Sequence, residues 1–253
     1  LLTICDTEHI DLVFPLTDLE IDILNKHRAD FNEKGVLLCI QPEYCLSVAR
    51  DKYKMARLFA DDPVISTPKT ILATEPSGNL TFPVIAKPYN GRSSEGLIRL
   101  MTKEALQFIV DKERYIIQEM LQGNVYTVDY VRDVYGNDFA VPREELLRTK
   151  NGAGTTVRIV PDARLQNMAS YIGSKLGVVG CVNMEFIYNS GNYYLIDINP
   201  RFSAGIAFTY SVGYDVVSSH MNAFLKRSIG EPISYKEQII AKRYKEEVLC
   251  VME

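Results

Sequence analysis

Oxygen-bearing side chains recur on two neighbouring segments that otherwise have the composition of β-strands. The segments flank an Asn-Ser-Gly-Asn turn, which predicts a β-hairpin. By the period of two, Asn183 and Glu185 share one face of the first strand, and Asp197 and Asn199 share one face of the second. Carboxylate and amide oxygens without histidine or thiolate suit a hard cation such as Mg²⁺.

The four side chains meet only in one register of this hairpin. Pairing Glu185 with Asp197 requires an odd loop, for instance three residues with Gly191 in the left-handed conformation that glycine tolerates. That register would bring two carboxylates and two amides together. The alternative is a hairpin whose polar face is simply solvated, and the hairpin by itself does not decide between them.

The composition is that of an ordinary globular protein. A chain of 253 residues predicts one or two domains at roughly 150 residues per domain. Hydrophobic residues make up 47%, charged residues 24%, and the formal net charge is −4, which does not indicate nucleic acid as a partner. No apolar run approaches the roughly 20 residues of a membrane span, and no signal peptide is recognisable, so no membrane partner is expected.

The five cysteines are odd in number and contain no Cys-x-x-Cys spacing. This pattern indicates neither a disulfide framework nor a zinc site. A reducing, cytoplasmic setting is therefore expected.

The N-terminal part has the pattern of a β-α-β unit. Short buried strands are predicted at 11–16 and 36–40, with a helix over 19–31 between them. Because two strands do not make a stable parallel sheet, and because the chain begins with Leu rather than Met, we expect the start of this unit to precede the first residue. A helix over 51–59 follows, with Lys52 near its start.

A lysine ends the next apolar strand, at 82–88. Burying the charged side chain of Lys87 in an apolar strand costs free energy unless an anion pairs with it. The loop that follows contains Gly91, Gly96 and two serines, so its backbone N–H groups suit phosphate oxygens, although the order is not that of a Walker A loop. A solvated hairpin loop is the alternative.

The rest of the chain is predicted as alternating strands and helices. Strands are expected at 97–100, 115–121, 126–132, 139–142 and 239–252, and helices at 102–113, 162–176 and 215–230. The basic run at 143–150 and the glycines after it are expected to form a solvated loop.

The order of these features from Lys52 onward resembles the ATP-grasp superfamily, in its carbamoyl-phosphate-synthase-like and biotin-carboxylase-like branch. The resemblance implies an α/β (α+β) ATP-grasp fold in which two α+β subdomains grip ATP, preceded by a truncated Rossmann-like pre-ATP-grasp segment. The implied division is 1–50 for that segment and 51–253 for the ATP-grasp domain. Within that domain, 63–117 would form the small lid and 118–253 the larger metal-binding part.

The resemblance also implies roles for individual residues. Lys52 and Lys87 would contact ATP phosphates. The loop that folds over the phosphates would use Asn90, Gly91, Ser93, Ser94 and Gly96. The adenine would meet Glu119, Met120 and Leu121. The metal ligands would be Glu185, Asp197 and Asn199.

The implied reaction is that of an ATP-dependent ligase, which phosphorylates a carboxylate and lets an amine or a thiol displace phosphate, leaving ADP. The implied cofactors are ATP and Mg²⁺ or Mn²⁺, the partners are a small carboxylate and a small amine, and a homodimer is allowed. Arg201 and Lys87 would be catalytic, with Arg201 also binding substrate. The alternative for Arg201 is a structural ion pair with Glu185 or Asp197. Arg143 and Arg148 would face substrate, or else belong to a solvated basic face.

Three positions depart from the family pattern. Val125 stands where many relatives have a glutamate for the ribose, Asp197 where glutamate is the commoner metal ligand, and Ala204 where carbamoyl-phosphate synthetase has an arginine. The departure at Ala204 argues against carbamoyl phosphate synthesis itself. A fragment of such an enzyme and a nucleotide-binding module without catalysis remain as alternatives.

Overall fold

Three β-sheets organise the chain. The computed structural model describes residues 1–76, 78, 80–92, 95–150 and 152–242. Within these ranges there is a two-stranded parallel sheet, a four-stranded antiparallel sheet and a six-stranded antiparallel sheet. None of the helices in these ranges has the length and apolar character needed to cross a bilayer.

The predicted β-α-β pattern of the N-terminal segment is confirmed, with shorter elements. Its elements are α1 (Leu2–Thr7), β1 (Leu12–Val13), α2 (Asp18–Leu24), α3 (Arg28–Glu33) and β2 (Leu37–Leu38). The strands pair in parallel, with Leu12 opposite Leu37. A capping box between Thr17 and Glu20 starts α2, because each side chain accepts from the other residue's backbone N–H.

Two short helices lead into the nucleotide-binding part, namely α4 (Glu43–Ala49), which the sequence did not predict, and α5 (Lys52–Leu58). The Asp51 carboxylate caps α5 by accepting from the backbone N–H groups of Tyr53 and Lys54. Lys52 is thereby fixed as the first residue of the helix, as predicted.

The four-stranded sheet contains β3 (Thr70–Leu72), β4 (Val84–Pro88), β5 (Ile98–Leu100) and β6 (Tyr115–Glu119), in the order β3-β6-β4-β5. The helix predicted over 102–113 is wrong. Two 3₁₀ turns, Glu104–Phe108 and Lys112–Arg114, occupy that range. Ala105, Leu106 and Ile109 pack into the core of this sheet, whereas Phe108 and Val110 are 69% and 99% exposed, so the segment buries only about one turn.

The six-stranded sheet has the order β11-β10-β7-β8-β9-β12. Its elements are β7 (Asn124–Arg132), β8 (Asp138–Arg148), β9 (Gly154–Ile159), β10 (Gly180–Asn189), β11 (Asn192–Asn199) and β12 (Gln238–Ala241), with helices α6 (Ala163–Leu176), α7 (Ile206–Ser211) and α8 (Val216–Phe224).

Two predictions about this sheet need correction. The basic run is not a solvated loop, because β8 continues through Arg148 and pairs with β9, a strand that the sequence did not predict. The helix predicted over 215–230 ends at Phe224. The strand predicted over 239–252 is seen as β12 at its start, and residues 243–252 lie outside the described ranges.

The two faces of the six-stranded sheet differ in character. On one, the core face, Val182, Met184 and Phe186 of β10 pack with Leu165 and Ile172 of α6. The other, the cavity face, carries the alternate residues of the same strands, including Asn183 and Glu185, and is turned toward the four-stranded sheet. The division between these sheets lies between Glu119 and Asn124, and the implied domain boundaries remain a prediction.

Candidate active site

A cavity of about 380 Å³ lies between the four-stranded sheet and the cavity face of the six-stranded sheet. Its volume falls within the roughly 300–1,000 Å³ typical of small-molecule sites. Lys52 of α5, Lys87 of β4 and Glu119 of β6 line one side, and Glu185 and Asp197 line the other. The cavity therefore brings together residues that are far apart in the sequence.

The β10–β11 hairpin has the predicted register. Glu185 pairs with Asp197, and Asn183 pairs with Asn199. All four residues line the cavity. The inference from the period of two is thus confirmed at its most important point.

The predicted reason for that register is wrong. Only Ser190 and Gly191 form the loop, with φ angles of +49° and +86°, as a two-residue type I′ turn requires. The odd residue is supplied instead by a β-bulge. The register shifts between Glu185 and Phe186, so Ile196 has no partner on β10.

Each carboxylate of the hairpin is held by a cation. Arg148 Nη2 lies 3.0 Å from Glu185 Oε2, and Lys52 Nζ lies 3.0 Å from Asp197 Oδ1. Burial raises the pKa of Glu185, and the charge of Arg148 opposes this effect. Both pairs are partly solvated, with side chains 12–27% exposed, so they can exchange partners.

The chemistry of this ligand set fits Mg²⁺. Across the described ranges, no group of three or more histidine, cysteine, aspartate and glutamate side chains is placed to hold a metal. Two carboxylates and an amide oxygen, together with substrate phosphates, nevertheless match the ligands that usually coordinate Mg²⁺. Asn199 donates through Nδ2 to Asn183 Oδ1 at 3.1 Å. The Oδ1 atom of Asn199 therefore points away from Asn183.

Lys52 joins three elements of the site. In addition to Asp197, its Nζ donates to the carbonyl oxygen of Gly91 at 3.0 Å, and its backbone N–H donates to Tyr89 O at 2.8 Å. Lys52 thus connects α5, β11 and the loop after β4.

Lys87 is the cation of the cavity that has no ion pair within the described residues. Burial lowers the pKa of its ammonium to about 8, while the negative charge of Asp197 opposes that shift. A partly buried, unpaired ammonium that lines a cavity is suited to receive an anion.

The predicted loop and adenine residues are only partly on the cavity wall. Gly91, Glu119 and Leu121 line the cavity, whereas Asn90, Gly96 and Met120 do not. Ser93 and Ser94 lie outside the described residues. A Cβ at Gly96 would lie 2.8 Å from the Tyr115 hydroxyl oxygen, so this glycine allows the loop to pack against β6.

Arg201 lines the cavity, but its ion-pair partner is not one that the sequence indicated. Its Nη2 and Nε lie 2.8 and 3.1 Å from Asp18 Oδ2, at the start of α2. The expected alternative, a pair with Glu185 or Asp197, is therefore wrong. Asp18 also pairs with Arg50 at 3.3 Å, so the N-terminal segment holds one edge of the cavity.

Arg143 is buried rather than part of a solvated basic face. Its Nη1 lies 2.6 Å from Asp129 Oδ2, its Nε 3.1 Å from Glu145 Oε1, and its Nη2 donates to Ser203 Oγ at 3.0 Å. The three charged side chains are at most 3% exposed. Thr209 Oγ1 adds a donor to Asp129 Oδ2 at 2.7 Å. These five residues are called the Arg143 cluster below.

The sequence comparisons agree with this architecture. Residues 49–205 match the model of the ATP-grasp domain, and residues 1–39 match that of the PylC-like N-terminal domain. The first match spans more than half of the chain. The chain belongs to the ATP-grasp family. The predicted resemblance is therefore confirmed.

Curated relatives of this ATP-grasp chain include large chains of carbamoyl phosphate synthase. The protein from Clostridium botulinum (strain Eklund 17B / Type B) is 28% identical over 158 residues, covering 54% of this chain and 14% of the relative. That from Lachnoclostridium phytofermentans is 24% identical over 185 residues, covering 64% and 17%. This chain thus spans about one sixth or less of the length of these relatives.

Solved structures show the same ATP-grasp fold at low identity. Biotin carboxylase from Campylobacter jejuni superposes with a TM-score of 0.79 at 14% identity, covering 90% of this chain and 57% of that one. N5-carboxyaminoimidazole ribonucleotide synthetase from Thermotoga maritima gives 0.70 at 16%, covering 90% and 62%. A biotin carboxylase domain dimer from Hydrogenobacter thermophilus, solved with MgADP and bicarbonate, gives 0.76 at 16%, covering 92% and 57%.

Several residues of this ATP-grasp site were missed by sequence reasoning. They are Asp18, Gln118, Thr127, Asp129, Glu145 and Ser203. For Thr127 and Asp129 a signal existed, because the period of two on β7 places them on the face that pairs with Glu185 and Asn183. For Asp18 no local signal existed, since its partner Arg201 lies 183 residues away.

Proposed function

We propose that this ATP-grasp protein is a ligase that uses ATP to phosphorylate a carboxylate and then joins the acyl group to an amine or a thiol, releasing ADP and phosphate. The observation that supports it most is the pairing of Glu185 with Asp197 on the cavity face, with unpaired Lys87 on the same cavity. Two carboxylates and a free cation are what a nucleotide triphosphate with its metal requires.

Glu185, Asp197 and Asn199 would hold Mg²⁺ or Mn²⁺. When bound, the metal would neutralise negative charge on the β- and γ-phosphates as the phosphoryl group is transferred. The chain's own contribution is then positioning and electrostatics, which supply most of the catalysis in such reactions.

The ion pairs suggest how the protein's cations act. A metal at Glu185 and Asp197 would displace Arg148 and Lys52 from these carboxylates. Lys52 would be freed for ATP phosphate beside Lys87, and Arg148 for the substrate carboxylate or its acyl phosphate. Arg201, held in place by Asp18, would contribute positive charge nearby, whereas the charge of Arg143 is already offset by Asp129 and Glu145.

The loop after β4 would exclude water from the acyl phosphate. Lys52 already contacts this loop through the Gly91 carbonyl, so a phosphate that draws Lys52 inward would draw the loop with it. Glu119 and Leu121 would line the adenine at the opposite end. One structural neighbour, the biotin carboxylase domain from Hydrogenobacter thermophilus, was solved as a dimer, and a homodimer is compatible with the proposal.

The double variant Glu185→Ala/Asp197→Ala tests the proposal. ADP release would be measured with ATP, Mg²⁺ and a panel of carboxylates offered together with amines and thiols. We expect turnover by the wild type with at least one pair, and none detectable in the double variant. Glu144→Ala is the matched control, because Glu144 lies on the opposite face of β8 and pairs with Arg158. Nucleotide binding without turnover by the wild type would indicate a non-catalytic module instead.

A further inference from the structure

One carboxylate oxygen of the cavity wall lacks a partner. Among the described residues, two buried side-chain oxygens accept no hydrogen bond, Asp129 Oδ1 and Glu145 Oε2. Of the two residues, only Glu145 lines the cavity. Because buried polar atoms are nearly always satisfied in native proteins, an orphaned acceptor at a ligand cavity marks a place for a donor.

The charge of the Arg143 cluster points to the kind of donor. One cation, Arg143, stands between the two carboxylates of Asp129 and Glu145, which leaves one negative charge uncompensated. The nearby cation of the same strand, Arg148, is 3.0 Å from Glu185. Within the described residues, Glu145 therefore has no second cation.

Two glycines keep this end of the cavity free of side chains. A Cβ at Gly154 would lie 1.9 Å from Glu145 Oε2, and a Cβ at Gly205 would lie 2.8 Å from Arg143 Nη2. Both glycines line the cavity. A side chain at position 154 would therefore cover the orphaned oxygen.

The Arg143 cluster lies within reach of a small substrate bound at β10 and β11, the strands that carry the proposed metal ligands. Asp197, Glu185, Thr127 and Arg143 are partners in one row across β11, β10, β7 and β8. Adjacent strands are about 4.8 Å apart, so Arg143 is about 10 Å from Glu185 along the sheet. A substrate of a few bonds would span that separation.

We propose that Glu145 binds the protonated amino group of the second substrate, so that the acceptor of this ligase is a cationic amine and not a thiol or a second anion. The inference rests on the proposed function, since it assigns the acceptor end of that same cavity. The ammonium would donate to Glu145 Oε2 and supply the positive charge that the Arg143 cluster lacks. Before attack it would give one proton to the Glu145 carboxylate, because only the neutral amine has a lone pair, and the C–N bond would then form as the bond from the acyl carbon to phosphate breaks.

The test compares probes of opposite charge. Amides of amino acids with uncharged side chains carry an ammonium without a carboxylate, and the matching N-acetyl amino acids carry a carboxylate without an ammonium. Binding would be measured by calorimetry to the full chain, saturated with Mg²⁺ and a non-hydrolysable ATP analogue. We expect saturable binding of at least one amide that is about 10- to 100-fold weaker in Glu145→Gln, the size of one charged hydrogen bond.

The control is Glu144→Gln, the same chemical change at the preceding residue, on the opposite face of β8. It should bind the amide as the wild type does. Equal amide affinity in Glu145→Gln and wild type would overturn the inference, as would nucleotide-loaded wild type that binds none of the amides. If wild type fails to bind the ATP analogue, the proposed function falls and this inference with it. Should Glu145→Gln not fold, the comparison of amides with N-acetyl probes on wild type still decides the sign of the charge.

Discussion

The two faces of the six-stranded sheet are built from alternate residues of the same strands, yet they have different tasks. On β10, Met184 and Phe186 are fully buried in the core face, while the alternating residues Asn183 and Glu185 line the cavity. Successive side chains of a strand point to opposite faces. Two neighbouring residues of β10 therefore serve different ends, one the stability of the core and the other the chemistry of the cavity. Substitutions on the core face should unfold the protein, and those on the cavity face should inactivate a folded one.

Phe186→Ala should have the largest effect on stability. It removes a ring with no solvent exposure from the core face, which typically costs about 3–5 kcal/mol of the free energy of unfolding. Ile187→Ala, one residue further and on the cavity side, should cost less than half as much. Urea denaturation of both variants makes the comparison, and equal losses would mean that the two faces do not differ as described.

Arg143→Ala should differ from other substitutions on the cavity face, because it should destabilise the fold. Removing this guanidinium leaves Asp129 and Glu145 buried without their cation, which costs about 3–5 kcal/mol. Arg148→Ala, on the same strand, breaks a partly solvated pair with Glu185 and should cost about 1 kcal/mol or less. Similar unfolding free energies for the two variants would show that the Arg143 cluster is not buried in solution.

Acid should destabilise the far end of the cavity face, where α8 covers it. There His220 accepts from the Cys181 backbone N–H through Nδ1 at 2.8 Å, and burial lowers its pKa from 6.5 to about 4. Since the folded pKa is below the unfolded one, the stabilisation is complete above about pH 6.5 and is lost as the pH falls toward 4. The loss is about 3 kcal/mol at most.

Unfolding free energies of the wild type and of His220→Gln, measured from pH 7 to pH 4, test this expectation. The variant should lose less stability across that interval, and His9→Gln, an exposed histidine, should behave as the wild type. Parallel pH profiles for His220→Gln and wild type would contradict the assignment.

Lys87→Met should separate binding from folding. It removes the unpaired ammonium of the cavity, so stability should hold or rise slightly, while the dissociation constant for ATP should increase about 10- to 100-fold. In the wild type, ATP affinity should also weaken as the pH rises through about 8, where the free ammonium loses its proton. Unchanged ATP affinity in the variant would remove Lys87 from the phosphate site.

The sequence predicted those parts of the site that depend on local rules. The shared faces of Glu185 and Asp197 followed from the period of two, and the position of Lys52 followed from the helical pattern over 51–59. The bulge at Ile196 was not predicted, because a hairpin loop that is one residue longer would also bring Glu185 opposite Asp197. A three-residue loop, and a two-residue loop combined with a β-bulge, are therefore both consistent with the same sequence pattern.

Contacts between distant segments were beyond such rules. Arg143 was expected either to face substrate or to lie in a solvated basic loop, but Asp129, 14 residues earlier, pairs with it from the neighbouring strand. Likewise Asp18 reaches Arg201 from the N-terminal segment. Strands β4, β5 and β6 of the four-stranded sheet were predicted, whereas β3 was not, and the order β3-β6-β4-β5 is set by packing that no single segment encodes.

The central claim is that Glu185 and Asp197 together form the metal end of a nucleotide cavity. It is tested most directly by the affinity for a non-hydrolysable ATP analogue, measured with and without Mg²⁺ in the wild type and in Glu185→Ala/Asp197→Ala. We expect Mg²⁺ to tighten binding to the wild type by about 10-fold or more and to have little effect on the double variant. The same dependence on Mg²⁺ in both proteins would contradict the claim.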